Sequence, residues 1–316
     1  MEMKKRAVFF TLLAIILVGL FIASFSFYVP YHESKKTDVI EVRINSMNQL
    51  LRSVNSDMQR ALYISSFRAI FSLIQHITSE GTYLSDAEHD FKLMLLNGTI
   101  DPGAEVVFHM DNQTIINWTK KIMRLAEQVD LNLTIRVVNV TLSQSSPWTL
   151  NPTITMNISL TDKKKTASWQ QLSTITASVP VDVFEEPVYA VMTNGSASML
   201  IVRSNISVWN ISALKKHLNQ TTFIQFTGAP SFLQRLEGNI GYSSPYGIEA
   251  LVNKTELERF ADLPMTERSS VDYLYFGSAA HKNYSIHEIT DQGFPDFRLD
   301  PEHIAFFNVG LYNYTG

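Results

Sequence analysis

The residues with the clearest potential chemistry are asparagines in Asn-x-Ser/Thr sequons. Thirteen of the 19 asparagines stand in this pattern, whereas composition alone predicts roughly three. A sequon is the acceptor for N-glycosylation, which attaches a bulky, soluble glycan at an exposed surface. The candidate sites are Asn97, Asn112, Asn117, Asn132, Asn139, Asn157, Asn194, Asn205, Asn210, Asn219, Asn253, Asn283 and Asn313. The sequence therefore predicts a surface glycoprotein.

Some sequons have a simpler explanation, because polar residues on the wet face of a β-strand recur at every second position. Asn157 and Ser159 alternate with Ile158 and Leu160 in this way. Other sequons, such as Asn194, fall in predicted loops, where strand alternation does not apply. We therefore expect glycans on some of the sites rather than on all of them.

The histidines and carboxylates show no spacing typical of catalysis or metal binding. None of the eight histidines forms an HExxH pair, which is a zinc signature on a helix. Acids near the C-terminus could bind a hard cation, but they lack the spacing of a calcium loop. These acids and the adjacent histidine are Asp291, Asp296, Asp300, Glu302 and His303. We predict a solvated turn there, and no metal site, cofactor or catalytic residue in the chain.

Two other features could belong to a site. The segment Gly241–Pro245 resembles a nucleophile elbow, but it lacks the second glycine and the strand–turn–helix context. Charged residues also occur in locally apolar stretches, which indicates buried ion pairs or a binding cleft. These residues are Arg235, Glu237, Glu249 and Asp272.

The composition limits the class of protein. The net charge is only −4, and nucleic-acid binding normally requires a concentrated basic face. The chain has no cysteine, which excludes disulfides and thiolate chemistry. Hydrophobic residues make up 45% of the chain, which is enough for a substantial core.

The N-terminal segment is apolar enough to predict a membrane anchor. Ala7 to Tyr28 contains no charged residue, and as a helix it would cover about 33 Å, the thickness of the hydrocarbon core. We place the transmembrane helix at residues 7–29 and expect Pro30 to interrupt it. The alternative is a secretory signal cleaved near Ala23 and Ser24.

The topology follows from the charges and the sequons together. Residues 1–6 carry Lys4, Lys5 and Arg6 and are predicted to be a cytoplasmic leader, although this positive-inside bias is weak. The sequons beyond the apolar segment indicate that the C-terminal part is extracellular. The predicted protein therefore lies in the cell membrane as a single-pass protein in contact with lipid.

The next segment predicts a long helical stalk over residues 37–78. Apolar residues recur at spacings of three and four along a heptad seam: Ile40, Ile44, Met47, Leu51, Val54, Met58 and Ala61. Such a seam could mediate self-association. Equally, one long helix could pack along its own domain.

The remaining residues, 79–316, predict an extracellular α+β domain, with short helices and a mainly antiparallel sheet. Alternation begins at Leu131 and changes phase near Val137, which indicates a β-bulge. The predicted helices are 85–96, 113–128, 212–218 and 254–260. The predicted strands are 131–142, 153–160, 175–181, 188–192, 198–208, 223–226 and 271–276.

The N-terminus resembles a type IV pilin or archaeal pilin-like protein, in which a peptidase removes a short basic leader before an apolar helix. Lys5-Arg6-Ala7 followed by Val8 resembles this cleavage site. Ala7 replaces the usual glycine, and Leu12 stands where the family often has an acidic residue. The resemblance implies a helix that packs on an antiparallel sheet, with cleavage between Ala7 and Val8.

The predicted function is that of a membrane-anchored, N-glycosylated surface protein with a structural or interaction role, in either a pilin-like or an adhesive version. The alternative is an extracytoplasmic solute-binding or sensory module that acts with a membrane partner. The sequence identifies no small-molecule ligand and gives no indication of nucleic-acid binding.

Overall fold

The computed structural model describes residues 2–261, 267–278, 282–291, 293–310 and 314–315. It contains one long helix, shorter helices and antiparallel sheets. The helices are α1 (Glu2–Glu80), α2 (Ala87–Asn97), α3 (Ile115–Gln128), α4 (Pro187–Met192), α5 (Ile211–Gln220), α6 (Phe232–Leu236), α7 (Lys254–Ala261), α8 (Asp272–Phe276), α9 (His287–Thr290) and α10 (Pro301–Phe306), with a 3-10 turn at Phe108–Met110. The strands are β1 (Leu131–Ser146), β2 (Thr149–Asp162), β3 (Ser168–Thr176), β4 (Val179–Pro180), β5 (Phe223–Gln225), β6 (Ile248–Ala250), β7 (Tyr284–Ile286), β8 (Arg298–Leu299) and β9 (Tyr314–Thr315). The predicted α+β class is confirmed.

Helix α1 is continuous over 79 residues, which corresponds to about 120 Å. The expected interruption at Pro30 is wrong, because the helix passes through this residue. A proline removes one backbone donor from a helix, and the residues on either side of Pro30 stay helical. Within the described part of the chain, no helix combines the length and apolar character that a membrane crossing requires.

The heptad seam of α1 faces the core of its own domain from Met47 onward. Met47 and Met58 are fully buried, and Leu51 and Val54 are 6% and 2% exposed. These side chains belong to one hydrophobic cluster with Ile154 and its neighbours on the sheet. This part of the predicted stalk therefore lies within the head, as in the alternative in which the helix packs along its own domain.

The main sheet has the order β1-β2-β3, and β4 pairs with β2. Strands β1, β2 and β3 are antiparallel, and the register of β1 against β2 shifts between Val137 and Asn139. This shift confirms the predicted bulge and leaves Val138 58% exposed. Alternate residues of β2, including Met156 and Ile158, are fully buried against the cluster that contains α1.

Arg43 fixes α1 to the end of this sheet. Its Nε and Nη2 atoms donate to Asp162 Oδ1 at 3.0 and 2.8 Å, and Nη2 also donates to the carbonyl oxygens of Asp130 and Val129. Hydrogen bonds from Thr166 and Arg43 lower the pKa of Asp162. These contacts hold the helix where it leaves the head.

The C-terminal half differs from the sequence prediction. Residues 188–192 and 271–276, predicted as strands, lie in α4 and α8, and residues 198–208 form only isolated bridges. Short apolar runs suit either a helix or a buried strand. In α4 the helix is favoured by Pro187 in its first turn and by the Glu186 side chain, which accepts a hydrogen bond from the Tyr189 N–H.

Candidate functional site: a pocket beside buried charges

The acids predicted to form a solvated turn lie in different places. Asp291 and Asp296 are in turns, whereas Asp300, Glu302 and His303 lie at the start of α10. Asp300 caps this helix, since its Oδ1 accepts hydrogen bonds from the backbone N–H groups of Glu302 and His303. Among the described residues, no group of three or more histidines and acids is placed to hold a metal ion.

Arg235 is the centre of a fully buried ion-pair cluster. Its Nη1 lies 2.9 Å from Glu186 Oε1 and 3.0 Å from Asp272 Oδ2, and all three side chains are 0% exposed. Its Nη2 donates to the carbonyl oxygen of Ile248 at 2.5 Å. The guanidinium therefore joins α6 to α8, to β6 and to the residue that caps α4. The predicted buried pairing is confirmed for Arg235 and Asp272, whereas Glu237 is half-buried.

His303 forms a second buried cluster with two carboxylates. Its Nδ1 lies 2.7 Å from Asp300 Oδ2, and its Nε2 lies 3.0 Å from Glu249 Oε2. The side chains of His303 and Glu249 are each 1% exposed. Since both ring nitrogens face carboxylate oxygens, the imidazole is best satisfied when both nitrogens carry protons.

The pKa values agree with this geometry. Burial opposes the charge of His303, but hydrogen bonds to Asp300 and Glu249 raise its pKa to about 10. Burial raises the pKa of Glu249 to about 7 in spite of His303. Burial also raises the pKa of Glu186, against the opposing charge of Arg235. The two clusters together contain four carboxyl groups and two cationic side chains, so carboxyl groups outnumber the cationic side chains.

A pocket of about 610 Å³ opens beside these clusters. Its lining includes the aromatic side chains of Tyr83, Tyr242, Tyr273 and Phe276, and the acids Asp300 and Glu302. Asp300 therefore belongs both to the His303 cluster and to the pocket wall. The volume is within the usual range for small-molecule sites, about 300–1,000 Å³.

Tyr83 and the glycine-rich loop 238–241 shape one side of this pocket. A Cβ atom at Gly238 would lie 2.4 Å from the Tyr83 ring, and Gly238 has a φ of +70°. The loop therefore needs glycine here, both for its backbone conformation and for contact with the ring. The Tyr83 hydroxyl is buried and has no hydrogen-bond partner among the described residues.

The predicted glycosylation sites are spread over the head. Asparagines that are exposed are Asn97, Asn112, Asn132, Asn139, Asn194, Asn205, Asn210 and Asn219. Those that are half-buried are Asn117, Asn157, Asn253 and Asn283. Asn313 lies outside the described residues. None of the described sequon asparagines lines the 610 Å³ pocket.

The other predicted positions lie outside this pocket or only at its wall. Ala7 and Val8 are in the N-terminal part of α1. In Gly241–Pro245, the segment that resembles a nucleophile elbow, Gly241 and Tyr242 line the pocket. The segment joins α6 to β6 and therefore lacks the strand–turn–helix context of a nucleophile elbow.

No protein-family model, curated protein or solved structure matches this chain. Function must therefore be inferred from the sequence and from the geometry, which defines an α+β head on a long helix with an acidic, aromatic pocket.

Sequence reasoning missed the pocket and the partners of His303. His303 and Glu249 are 54 positions apart, so no local pattern connects them. The available signals were the glycines and Tyr242 of the loop 238–242 and the acids around His303, and each signal alone is weak.

Proposed function

We propose that this chain is a single-pass, membrane-anchored surface protein whose glycosylated head has an interaction role. The observation that carries the proposal is the continuity of α1, which runs from the apolar N-terminal segment into the core of the head. A helix that is both anchor and core element holds the head close to the membrane.

The apolar segment supports the anchor. Ala7 to Tyr28 has no charged residue, and described side chains within it are largely exposed, with Ile15 at 71%, Leu17 at 61%, Leu20 at 65% and Ile22 at 64%. A continuous exposed apolar surface of this kind favours a lipid environment over water.

The exposure of the sequons supports an extracellular head. Eight of the twelve described sequon asparagines are exposed, and a sequon functions only where a glycan has room. Asn210 also caps α5 through its Oδ1, which accepts from the Ala213 N–H at 2.9 Å. A glycan attaches to the side-chain nitrogen, so this cap and a glycan are compatible.

The pilin-like version of this function is supported by the packing of α1 along the antiparallel sheet, which is the arrangement that the N-terminal resemblance implies. It further requires cleavage between Ala7 and Val8. The heptad seam is buried in the core of the same chain from Met47 onward, so these side chains are not available for self-association.

The anchor is tested by washing membranes at alkaline pH. We expect the wild-type chain to stay in the membrane, and a Leu17→Arg/Leu20→Arg variant to be released, since each arginine at a helix centre costs about 2.5–3.5 kcal/mol of insertion free energy. The matched control is Gln49→Arg on an exposed position of the same helix. Release of the wild-type chain by the wash would contradict the anchor.

Glycosylation and cleavage are tested by intact-mass measurement of chain purified from native membranes. We expect a series of glycoforms heavier than the bare chain, and in the pilin-like version an N-terminus at Val8. A single unmodified mass would remove the support from the sequons. An N-terminus at Met1 would remove the pilin-like version while leaving the anchor intact.

A second candidate function is favoured by the 610 Å³ pocket. An extracytoplasmic solute-binding or sensory module needs such a cavity with converging polar groups. In this version the head captures a ligand, and a membrane partner transmits the signal or transports the ligand.

A further inference from the structure

The side chains of the pocket wall favour a positively charged ligand. The only charged side chains that line the pocket, among the described residues, are Asp300 and Glu302. The wall also presents aromatic rings, including Tyr242, which is 65% exposed. Aromatic faces attract cations through their quadrupole, and this attraction grows when the cation is removed from water.

Buried carboxylates behind the pocket wall also favour positive charge in the pocket. Burial raises the pKa of Tyr273, and the carboxylates Glu249, Asp272, Asp300 and Glu302 raise it further. Burial and the nearby Glu186 raise the pKa of Tyr83 to about 12, against the effect of Arg235. Tyr273 lines the pocket together with Asp300 and Glu302, so the negative charge of these carboxylates is felt at the pocket surface and favours positive charge there.

We propose that this pocket binds a small organic cation, in which an ammonium group is joined to an apolar body. The ammonium group would lie near Asp300 and Glu302, and the apolar body would contact the rings of Tyr83, Tyr242 and Phe276. This proposal does not depend on the membrane anchor.

The surface around the pocket is compatible with ligand entry. No described sequon asparagine lines it, so glycans at the described sequons attach outside the pocket wall. The exposed positions of Tyr242 and Glu302 place one aromatic ring and one carboxylate where an incoming cation first meets the protein.

The test uses three probes of nearly equal shape: phenethylamine as the cation, 2-phenylethanol as the neutral compound and phenylacetate as the anion. Each is titrated calorimetrically into the full chain in non-ionic detergent, with empty micelles as the blank. We expect phenethylamine to bind about tenfold or more tightly than 2-phenylethanol, and phenylacetate to bind most weakly. Equal binding of the cationic and neutral probes, or tightest binding of the anion, would overturn the proposal.

Two variants locate the binding. Glu302→Gln is expected to weaken phenethylamine binding about two- to tenfold and to leave 2-phenylethanol binding unchanged, whereas Tyr242→Ala is expected to weaken both. Glu105→Gln, at an exposed position outside the pocket, is the matched control. The side chains of Glu302 and Tyr242 are exposed, so the thermal unfolding midpoints of both variants should match that of the wild type. If Glu302→Gln and Glu105→Gln bound phenethylamine equally, the cation would not be recognised here.

Discussion

Replacing Arg235 with methionine should destabilise the head far more than any surface substitution. The guanidinium is 0% exposed and faces two carboxylates that are also 0% exposed, at 2.9 and 3.0 Å. Methionine keeps an unbranched apolar stem but lacks the guanidinium, so Glu186 and Asp272 would remain buried without their cation. Breaking a buried pair from one side costs about 3–5 kcal/mol, and here one residue serves both carboxylates.

The free energy of unfolding is measured by urea denaturation of the full chain in non-ionic detergent, followed by circular dichroism and tryptophan fluorescence. The matched control is Arg124→Met, which removes an exposed arginine and should change stability by no more than about 0.5 kcal/mol. The triple variant Arg235→Met/Glu186→Gln/Asp272→Asn removes the buried charges together and should recover part of the loss. If Arg235→Met and Arg124→Met were equally stable, the cluster would not hold the four elements together.

Three further predictions concern stability. Burial lowers the pKa of His217 to about 4, so protonation favours the unfolded chain as the pH falls from about 6.5 to about 4. Over this range the wild type should lose about 3 kcal/mol more of its free energy of unfolding than the His217→Gln variant. Equal losses, measured by urea titration at each pH, would contradict this prediction. Gly238→Ala should destabilise the head by about 1–3 kcal/mol, because residue 238 has a positive φ and a Cβ atom there would contact the Tyr83 ring. It should also weaken phenethylamine binding. Gly241→Ala should do neither, because a Cβ atom at this position meets no atom within 4 Å. Met58→Ala should lower the free energy of unfolding by about 2–5 kcal/mol, because it leaves a cavity in the core. The unfolding midpoint should not depend on protein concentration. A concentration-dependent midpoint would indicate that the heptad seam is shared between two chains.

The sheet and the long helix were largely predictable because each has a strong local period. Alternation from Leu131 and its change of phase near Val137 predicted the paired strand and its bulge, since a period of two must slip where one extra residue is inserted. The heptad seam predicted the buried face of α1. The seam could not reveal its partner, because packing on a sheet of the same chain and packing on a second helix both require an apolar stripe.

The C-terminal half was less predictable for a physical reason. Residues 188–192 and 271–276 are too short to show a period, so their helices depend on local caps, such as Glu186 and Pro187 at α4, and on tertiary contacts such as the Arg235 ion pairs. The pocket collects side chains from Tyr83 to Glu302, which no local pattern relates. The apolar environments of Arg235, Glu249 and Asp272 did indicate burial, and their burial is confirmed.

The proposed function is tested most directly by determining on which side of the membrane the head lies. Because the chain has no cysteine, a Lys164→Cys variant at an exposed position after β2 reports location through a membrane-impermeant maleimide, and the wild-type chain is the blank. We predict that intact cells label the variant as fully as lysed cells do. Labelling only after lysis would place the head inside the cell and contradict the proposed function.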